Sequence, residues 1–578
     1  MGAFFLHHRS IVIDEARLKQ FYRDKGFNSL HITDIGDYKL YLCRKQLITT
    51  DNFYYDGNNA IYACGSLFYD QSGYYTSLCS LLKDFLNGNI KFNMIRGNYV
   101  LIFFRGSDSS ITLFTDSEVI RNIYFHCEEK ILTTDFLSLL TLNGLHYSLN
   151  RMAIIENLTT GNLIPPDTYL NEIRRVDKIN IKELTMHFPG IYFANPEPGA
   201  VRNINRRKEA LNDANERLSE YFRSAREITR QYGAHIGLTG GLDSRLLLAH
   251  ARRHLDKLIT NSFWRAGSVD FIFARMLAEK AGTRFISFAN GGFIKPDENS
   301  MINSSFYFFD GQIRSQNNWK EEFSLPEYAK IISSAHYLGF HGCGGEQYRN
   351  FEKICRKVTQ SDYINYDWLF KQCDNVFINR SLKEEIKRSV TVKIRRLTGI
   401  SDKRIGLYQI KRIQNEVWIN SNRATRINAL NQLMFYFAPF TESQISHAAY
   451  GYTPFLGCSS AFETKLIKDA DSELAEVNTI YGYRPINGEP ISLRLISLFA
   501  GIIPRQSFHW LNTVIRKRKG AKSHIKGDFS GLNPFMSEIG KDIDLEKLSS
   551  NKNLGWCISA FDELTGRLVK IAEGNSNE

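Results

Sequence analysis

Thr239-Gly240-Gly241-Leu242-Asp243-Ser244-Arg245 is the stretch that decides how this chain reads. It follows the apolar segment Ala234-His235-Ile236-Gly237-Leu238 and precedes Leu246-Leu247-Leu248-Ala249-His250-Ala251. That order predicts a buried strand, a tight glycine turn and a helix. Two glycines let the backbone approach an anion closely, and the first amides of a helix offer unpaired donors with a favourable dipole. Thr239 and Ser244 add hydroxyls, and Asp243 supplies the hard oxygen that magnesium prefers. The local reading is a strand-to-helix cradle for a phosphate chain, although Gly-Gly followed by Asp-Ser is also common turn material.

Outward from the loop, the next elements keep the same alternation. Arg206 to Tyr232 is a charged amphipathic helical stretch ahead of it. Behind it come Leu258 to Trp264 as a strand, Ser268 to Ala281 as a helix and Thr283 to Phe288 as a further strand. Strands separated by helices of this length predict a mostly parallel sheet covered on both faces, with ligands beyond the carboxyl ends of its strands. A second glycine-rich point, Gly339-Phe340-His341-Gly342-Cys343-Gly344-Gly345-Glu346-Gln347, leaves room for a ligand and offers the Glu346 carboxylate. If both loops leave the same side of the sheet, Asp243 and Glu346 can share a magnesium ion on a triphosphate. The alternative for Glu346 is a solvated turn carboxylate.

The first 195 residues read differently. Tyr38 to Leu42, Ala60 to Cys64, Tyr99 to Phe104, Ser110 to Phe114 and Asn122 to His126 are short, β-branched and aromatic-rich, and turn residues separate them. They predict antiparallel hairpins in two layers of sheet with helices outside, including helices at 75–85 and 134–142. Residues 193–203, with Asn195-Pro196-Glu197-Pro198-Gly199, read as the linker to a second domain spanning 205–578.

Composition sets outer limits. The chain has 578 residues, 43% hydrophobic and 23% charged, which is ordinary for a globular protein with several domain-sized units. The formal charge of +12 is spread over 61 acidic and 73 basic residues, so charge alone is weak support for nucleic-acid binding and no DNA partner is expected. Met1 to Arg9 is too short an apolar run for a signal peptide, and nothing reaches the roughly 18 apolar residues of a membrane span. The nine cysteines form no CxxC pair and read as too dilute for a disulfide framework, so a reducing cytoplasm is expected. The 14 histidines show no metal-binding spacing.

The first loop resembles the SGGLDS pyrophosphate loop of asparagine synthetases, with Thr239 for the initial Ser. Gly267-Ser268-Val269-Asp270 with Ala274 is similar to the family segment after the second strand. Gly342 to Gln347 looks like its GxGxDE loop, with Glu346 where an Asp binds magnesium and Gln347 where a Glu follows. Gly97 to Leu101, Thr115-Asp116 and Thr133-Thr134-Asp135 resemble inner strands of its glutaminase half. The resemblance implies an α/β fold: an Ntn-hydrolase-like sandwich, then an adenine nucleotide α-hydrolase-like parallel-sheet domain with helical additions. It implies ATP and Mg2+ as cofactors, with Thr239, Gly240, Gly241, Asp243, Ser244, Gly342, Gly344 and Gly345 on the nucleotide and Asp243 and Glu346 on the metal.

Departures redirect the expected chemistry. Gly2 stands where the glutaminase cysteine belongs, so hydrolysis of glutamine is not expected. In this the chain is similar to β-lactam synthetase and the lasso-peptide cyclases, in which a substrate amine replaces ammonia. The family's Pro-Phe-Leu-Asp region is represented faintly by Pro439-Phe440-Thr441-Glu442, and a pyrophosphate-approaching lysine falls at Tyr481. Arg484 or a residue of Arg516-Lys517-Arg518-Lys519 is the candidate replacement for its charge, Arg516 to Lys522 being equally a basic docking or solvated face. The resulting expectation is an ATP-dependent ligase that adenylates a carboxylate and joins it to an amine, with Asp243, Glu346, Arg484 and Tyr481 as catalytic candidates. A peptide or carrier-bound intermediate is a compatible substrate and a homodimer a compatible assembly. Rival readings are ammonia-dependent amidation of a small molecule or sugar acid, a silent nucleotide-binding scaffold, and nucleic-acid modification.

Overall fold

The computed structural model describes residues 2–142, 144–197, 201–262, 264, 266–287, 307–312, 336–364, 376–504, 507, 531–550 and 555–574. Residues 516–522 therefore lie outside the described residues.

Eleven strands build the first part: β1 (Ala3–His8), β2 (Leu30–Ile35), β3 (Tyr38–Cys43), β4 (Phe53–Asp56), β5 (Asn59–Tyr69), β6 (Ile95–Arg105), β7 (Ser110–Thr115), β8 (Tyr124–His126), β9 (Ile131–Thr133), β10 (Ile173–Arg175) and β11 (Ile191–Ala194). They form a six-stranded sheet in the order β10-β8-β9-β1-β3-β2 and a five-stranded sheet in the order β11-β7-β6-β5-β4. The period of two along a strand explains the layering. Phe4, Leu6, Leu40, Leu42, Tyr62, Val100 and Ile102 meet in the core between the sheets. Their neighbours Phe5 and Tyr41 face a second core with helical residues such as Leu18 and Ile154. Ile61, Ala63, Leu101 and Phe103 face a third, with Leu78 and Leu218. Helices on the outer faces of a two-sheet sandwich make both sides of each sheet apolar, which is why β5 and β6 read as continuous hydrophobic runs.

A separate sheet follows, built from β12 (Ala234–Gly237), β13 (Leu258–Ser262), β14 (Arg284–Ser287), β15 (Leu338–Phe340) and, after the short ribbon β16 (Val358–Thr359) and β17 (Arg404–Ile405), β18 (Phe435–Phe437). Its order is β14-β13-β12-β15-β18 and every pairing is parallel. The chain starts at β12, moves outward to β13 and β14, and returns to the other side of β12 with β15. The molecule is thus an α/β protein with a mostly antiparallel sandwich, its edge strand β11 running parallel to β7, followed by a doubly wound parallel sheet.

Several elements differ from the sequence expectation. The Arg206–Tyr232 stretch is two helices, Arg207–Ser224 and Arg226–Tyr232. The amino-terminal apolar run, too short to be a signal, is the inner strand β1, paired with β3 and β9. β11 runs into the expected linker as far as Ala194. Packing also crosses that linker: Leu246 to Leu248 share one core with Leu101 and Phe103. Cys355 and Cys458 form a disulfide with Cα atoms 5.8 Å apart, against the expectation of none. Their separation of 103 residues gives no local spacing signal; the fold alone brings them together.

Candidate active site

β12 and β15 are neighbours whose following connections belong to opposite halves of the sheet, so a crevice forms beyond their carboxyl ends, the switch point where open α/β sheets bind ligands. Both glycine loops sit there. A Cβ added to Gly342 meets the Ser244 amide nitrogen at 3.1 Å, and one added to Gly345 meets Asp243 Oδ1 at 2.4 Å. The second loop therefore packs directly on Asp243, and only glycine fits at position 345. Gly344 serves another need, a left-handed turn at φ +90° that opens the short helix Gly345–Tyr348.

The first loop is held by its own hydroxyls and by an anion. The Thr239 amide donates to Ser244 Oγ at 3.2 Å, and the Gly241 amide donates to Thr239 Oγ1 at 3.1 Å. The Gly240 amide donates to Asp270 Oδ1 at 2.9 Å, so one loop amide already has an anionic oxygen as its acceptor. Above the loop, the Ile480 amide donates to Gly240 O at 3.0 Å, and a Cβ on Gly240 meets Ile480 Cγ2 at 2.4 Å. Arg245, fully buried, anchors that cover by donating to Val477 O at 2.5 Å and Asn478 O at 2.7 Å. Burial pulls its guanidinium down to about 10.

Asp243 starts the helix Asp243–His254, and its partners were not visible in the sequence. Arg349 donates from Nη2 to Asp243 Oδ2 at 3.0 Å and from Nη1 to Glu463 Oε2 at 2.9 Å. Glu463 lies on the helix Ala461–Ala470 and is wholly buried. Burial, then Glu346, pushes the Asp243 carboxyl up against the pull of Arg349; burial and the Asp243 charge push Glu463 well above the usual range. Glu346 moves the other way, because Arg349, Arg423 and Lys411 outweigh its burial. Lys411, itself buried, donates to Glu346 O at 2.8 Å, and burial lowers it to about 8. Three carboxyls thus surround one shared guanidinium. Asp243 Oδ1 and Glu463 Oε1 are buried without a hydrogen bond.

Those two bare oxygens fit a divalent cation. Magnesium is commonly held by one or two carboxylates together with phosphate oxygens and water. Among the described residues, no group of three or more His, Cys, Asp or Glu forms a metal cage. Beside Asp243 it is Glu463 that presents a second bare oxygen, while Glu346 reaches the cluster through its charge.

The remaining candidates separate. Tyr481 is 40% exposed at the edge of the cluster, where burial and the charges of Asp243 and Glu463 raise its hydroxyl against Arg349. Arg484 is exposed, and its described contacts do not include the loop. The buried cation beside Asp243 is Arg349, four residues past Gly345. Gln347 is buried and donates from Nε2 to Asn415 Oδ1 at 2.9 Å and to Phe440 O at 2.8 Å. Its amide holds the second loop in place, a task for which a carboxylate has no proton. At the other end of the chain, Gly2 is buried; a Cβ there meets the Phe27 ring at 2.2 Å and Arg44 O at 2.8 Å. No signal in the local sequence marks Arg349 or Glu463, since each is charged but lacks a motif.

No family model matches the chain, and no curated protein matches it. Among solved structures it is similar to a U34-tRNA thiolase from Methanococcus maripaludis with its 4Fe-4S cluster, at 10% identity and a TM-score of 0.19, covering 56% of this chain and 86% of that one. At that score the likeness says nothing about the site, and the fold assignment rests on the strand order.

Proposed function

We propose that this chain is an ATP-dependent carbon–nitrogen ligase that activates a carboxylate as its adenylate and passes the acyl group to an amine. The observation that carries this reading is the phosphate-type loop Thr239–Ser244 at the switch point, with bare carboxylate oxygens of Asp243 and Glu463 beside it. The first amides of the helix Asp243–His254, just past the loop, bind the phosphate chain, the amides of Thr239, Gly240 and Gly241 being used to shape the loop. Asp243 and Glu463 are the residues that would hold magnesium, which when bound neutralises charge on the phosphate oxygens. The acid oxygen attacks the α-phosphate and pyrophosphate leaves; the amine then attacks the acyl carbonyl and AMP leaves. Arg349 fixes both carboxylates before substrate arrives, so their orientation is set in advance. Glu346 and Tyr481 border the same cluster.

The amine comes from a substrate in this reading, because residue 2 carries no thiol and its surroundings have no room for one. A peptide or natural-product amide, including a macrolactam, is the favoured product. One observation favours a second reading: Arg349 already neutralises one oxygen of Asp243, as in a protein that binds nucleotide without turning it over.

Pyrophosphate release with panels of acids and amines, ammonia included, tests both. Asp243→Ala should abolish release while the fold, followed by circular dichroism, is unchanged; undiminished turnover in that variant refutes the ligase assignment. ATP binding by the wild type without release under any acid and amine supports the silent reading.

A further inference from the structure

A cavity of about 720 Å3 lies apart from the carboxylate cluster, between the first turn of the helix Arg207–Ser224, the helix Ala461–Ala470 and the turn after Pro485. Its size is that of a ligand site. Among the described residues, Arg207, Lys208, Lys465, Lys468 and Arg494 line it with one acid, Asp469, five cations to one carboxylate, a formal +4 for the lining, and Glu489 behind it lies 4.0 Å from Arg494.

We propose that this groove docks an acidic polypeptide segment. Its cations come from three separate stretches of chain, so the positive field extends along the groove, and concave walls of one sign concentrate it. Lys465 is engaged by Asp469 at 2.5 Å and Lys468 donates to Ile486 O at 2.9 Å. Arg207 and Lys208 are exposed and, among the described residues, make no ion pair. They also stand in the first turn of an 18-residue helix, where the helix dipole disfavours positive charge. Local stability therefore gives no reason for them, whereas an incoming carboxylate does.

The lining separates a peptide from a nucleic acid. Among the described residues, no aromatic side chain lines the groove, and single-stranded nucleic acids are held by stacking on such rings as well as by charge. The uncharged lining includes Leu211, Ala461 and Pro485 with Thr464 and the amides of Asn212 and Asn487, which suits the stems and backbone of an extended peptide. The site does not depend on chemistry at Thr239–Ser244.

The test is fluorescence anisotropy of the full chain with a labelled oligoglutamate peptide, and with an oligouridylate of equal charge, at low and physiological salt. The expected result is salt-sensitive oligoglutamate binding that the paired change Arg207→Glu and Lys208→Glu weakens by about tenfold or more. Lys208→Glu alone serves as the milder variant, and an unshifted melting temperature shows that each is folded. Equal binding by the folded variants overturns the proposal. Tighter binding of the oligouridylate overturns it in favour of a nucleic-acid surface.

Discussion

Arg349→Met tests the electrostatic reading of the site most directly. The guanidinium bridges Asp243 at 3.0 Å and Glu463 at 2.9 Å, with its side chain 6% exposed. Removing one partner of a buried ion pair costs about 3–5 kcal/mol, because the other is left uncompensated. Here both carboxyls are already raised and can take up protons instead of remaining charged, so the lower end, about 3 kcal/mol near neutral pH, is expected. The sign of the pH dependence follows. A carboxyl raised in the folded state contributes stability that is present below its unfolded pKa and lost as pH rises through its folded one. Deleting Arg349 raises both groups further, so the variant should approach the wild type on acidification and fall away from it on alkalinisation. Urea unfolding midpoints between about pH 5 and pH 8 measure this, compared at fixed m-value. Arg349→Lys, which keeps the charge but not the two-pronged donor, should fall between them. A deficit below about 1 kcal/mol at neutral pH, or one that grows on acidification, refutes the argument.

Three further outcomes are expected. Gln347→Glu replaces a buried amide donor to Asn415 and Phe440 with a group that cannot donate, and should cost about 2–4 kcal/mol, read as a lowered melting temperature; an unchanged melting temperature contradicts the role given to that amide. Gly345→Ala puts a methyl 2.4 Å from Asp243 Oδ1, so the loop or the carboxylate must shift; magnesium–ATP binding should weaken by about tenfold or more in calorimetry and the melting temperature should fall, and unchanged binding contradicts the close packing of the two loops. Asp116 and Glu442, which line one small cavity with Gly97 and Tyr99, are each raised by burial to about 7. Both lie above their unfolded values, so stability should fall as pH rises from about 4 to 7 and level off above, by at most about 3–4 kcal/mol for each group. Asp116→Asn with Glu442→Gln should flatten that slope; an unaltered slope assigns it to other groups.

The strand, turn and helix around Thr239 were legible because local chemistry dictates them: apolar run, paired glycines, helix-starting Asp. The same holds for the strands at Tyr38, Ala60 and Tyr99 and for the helix from Ser268, whose hydroxyl caps it at Phe271 N. β1 is not legible in the sequence, because four apolar residues, Ala3 to Leu6, gain meaning only from β3 and β9 on either side. The Cys355–Cys458 bridge was missed for the same reason, its halves being distant in sequence.

By itself the sequence determined the phosphate-type loop, the alternation of the second sheet and the absence of a thiol at residue 2. Tertiary structure decided which charges meet at that loop. Arg349 and Glu463 reach Asp243 only because β15 returns beside β12 and the Ala461–Ala470 helix packs against the helix that Asp243 begins. Those contacts join residues far apart in the chain, and buried charges find their partners through the packing that excludes water, not through local sequence.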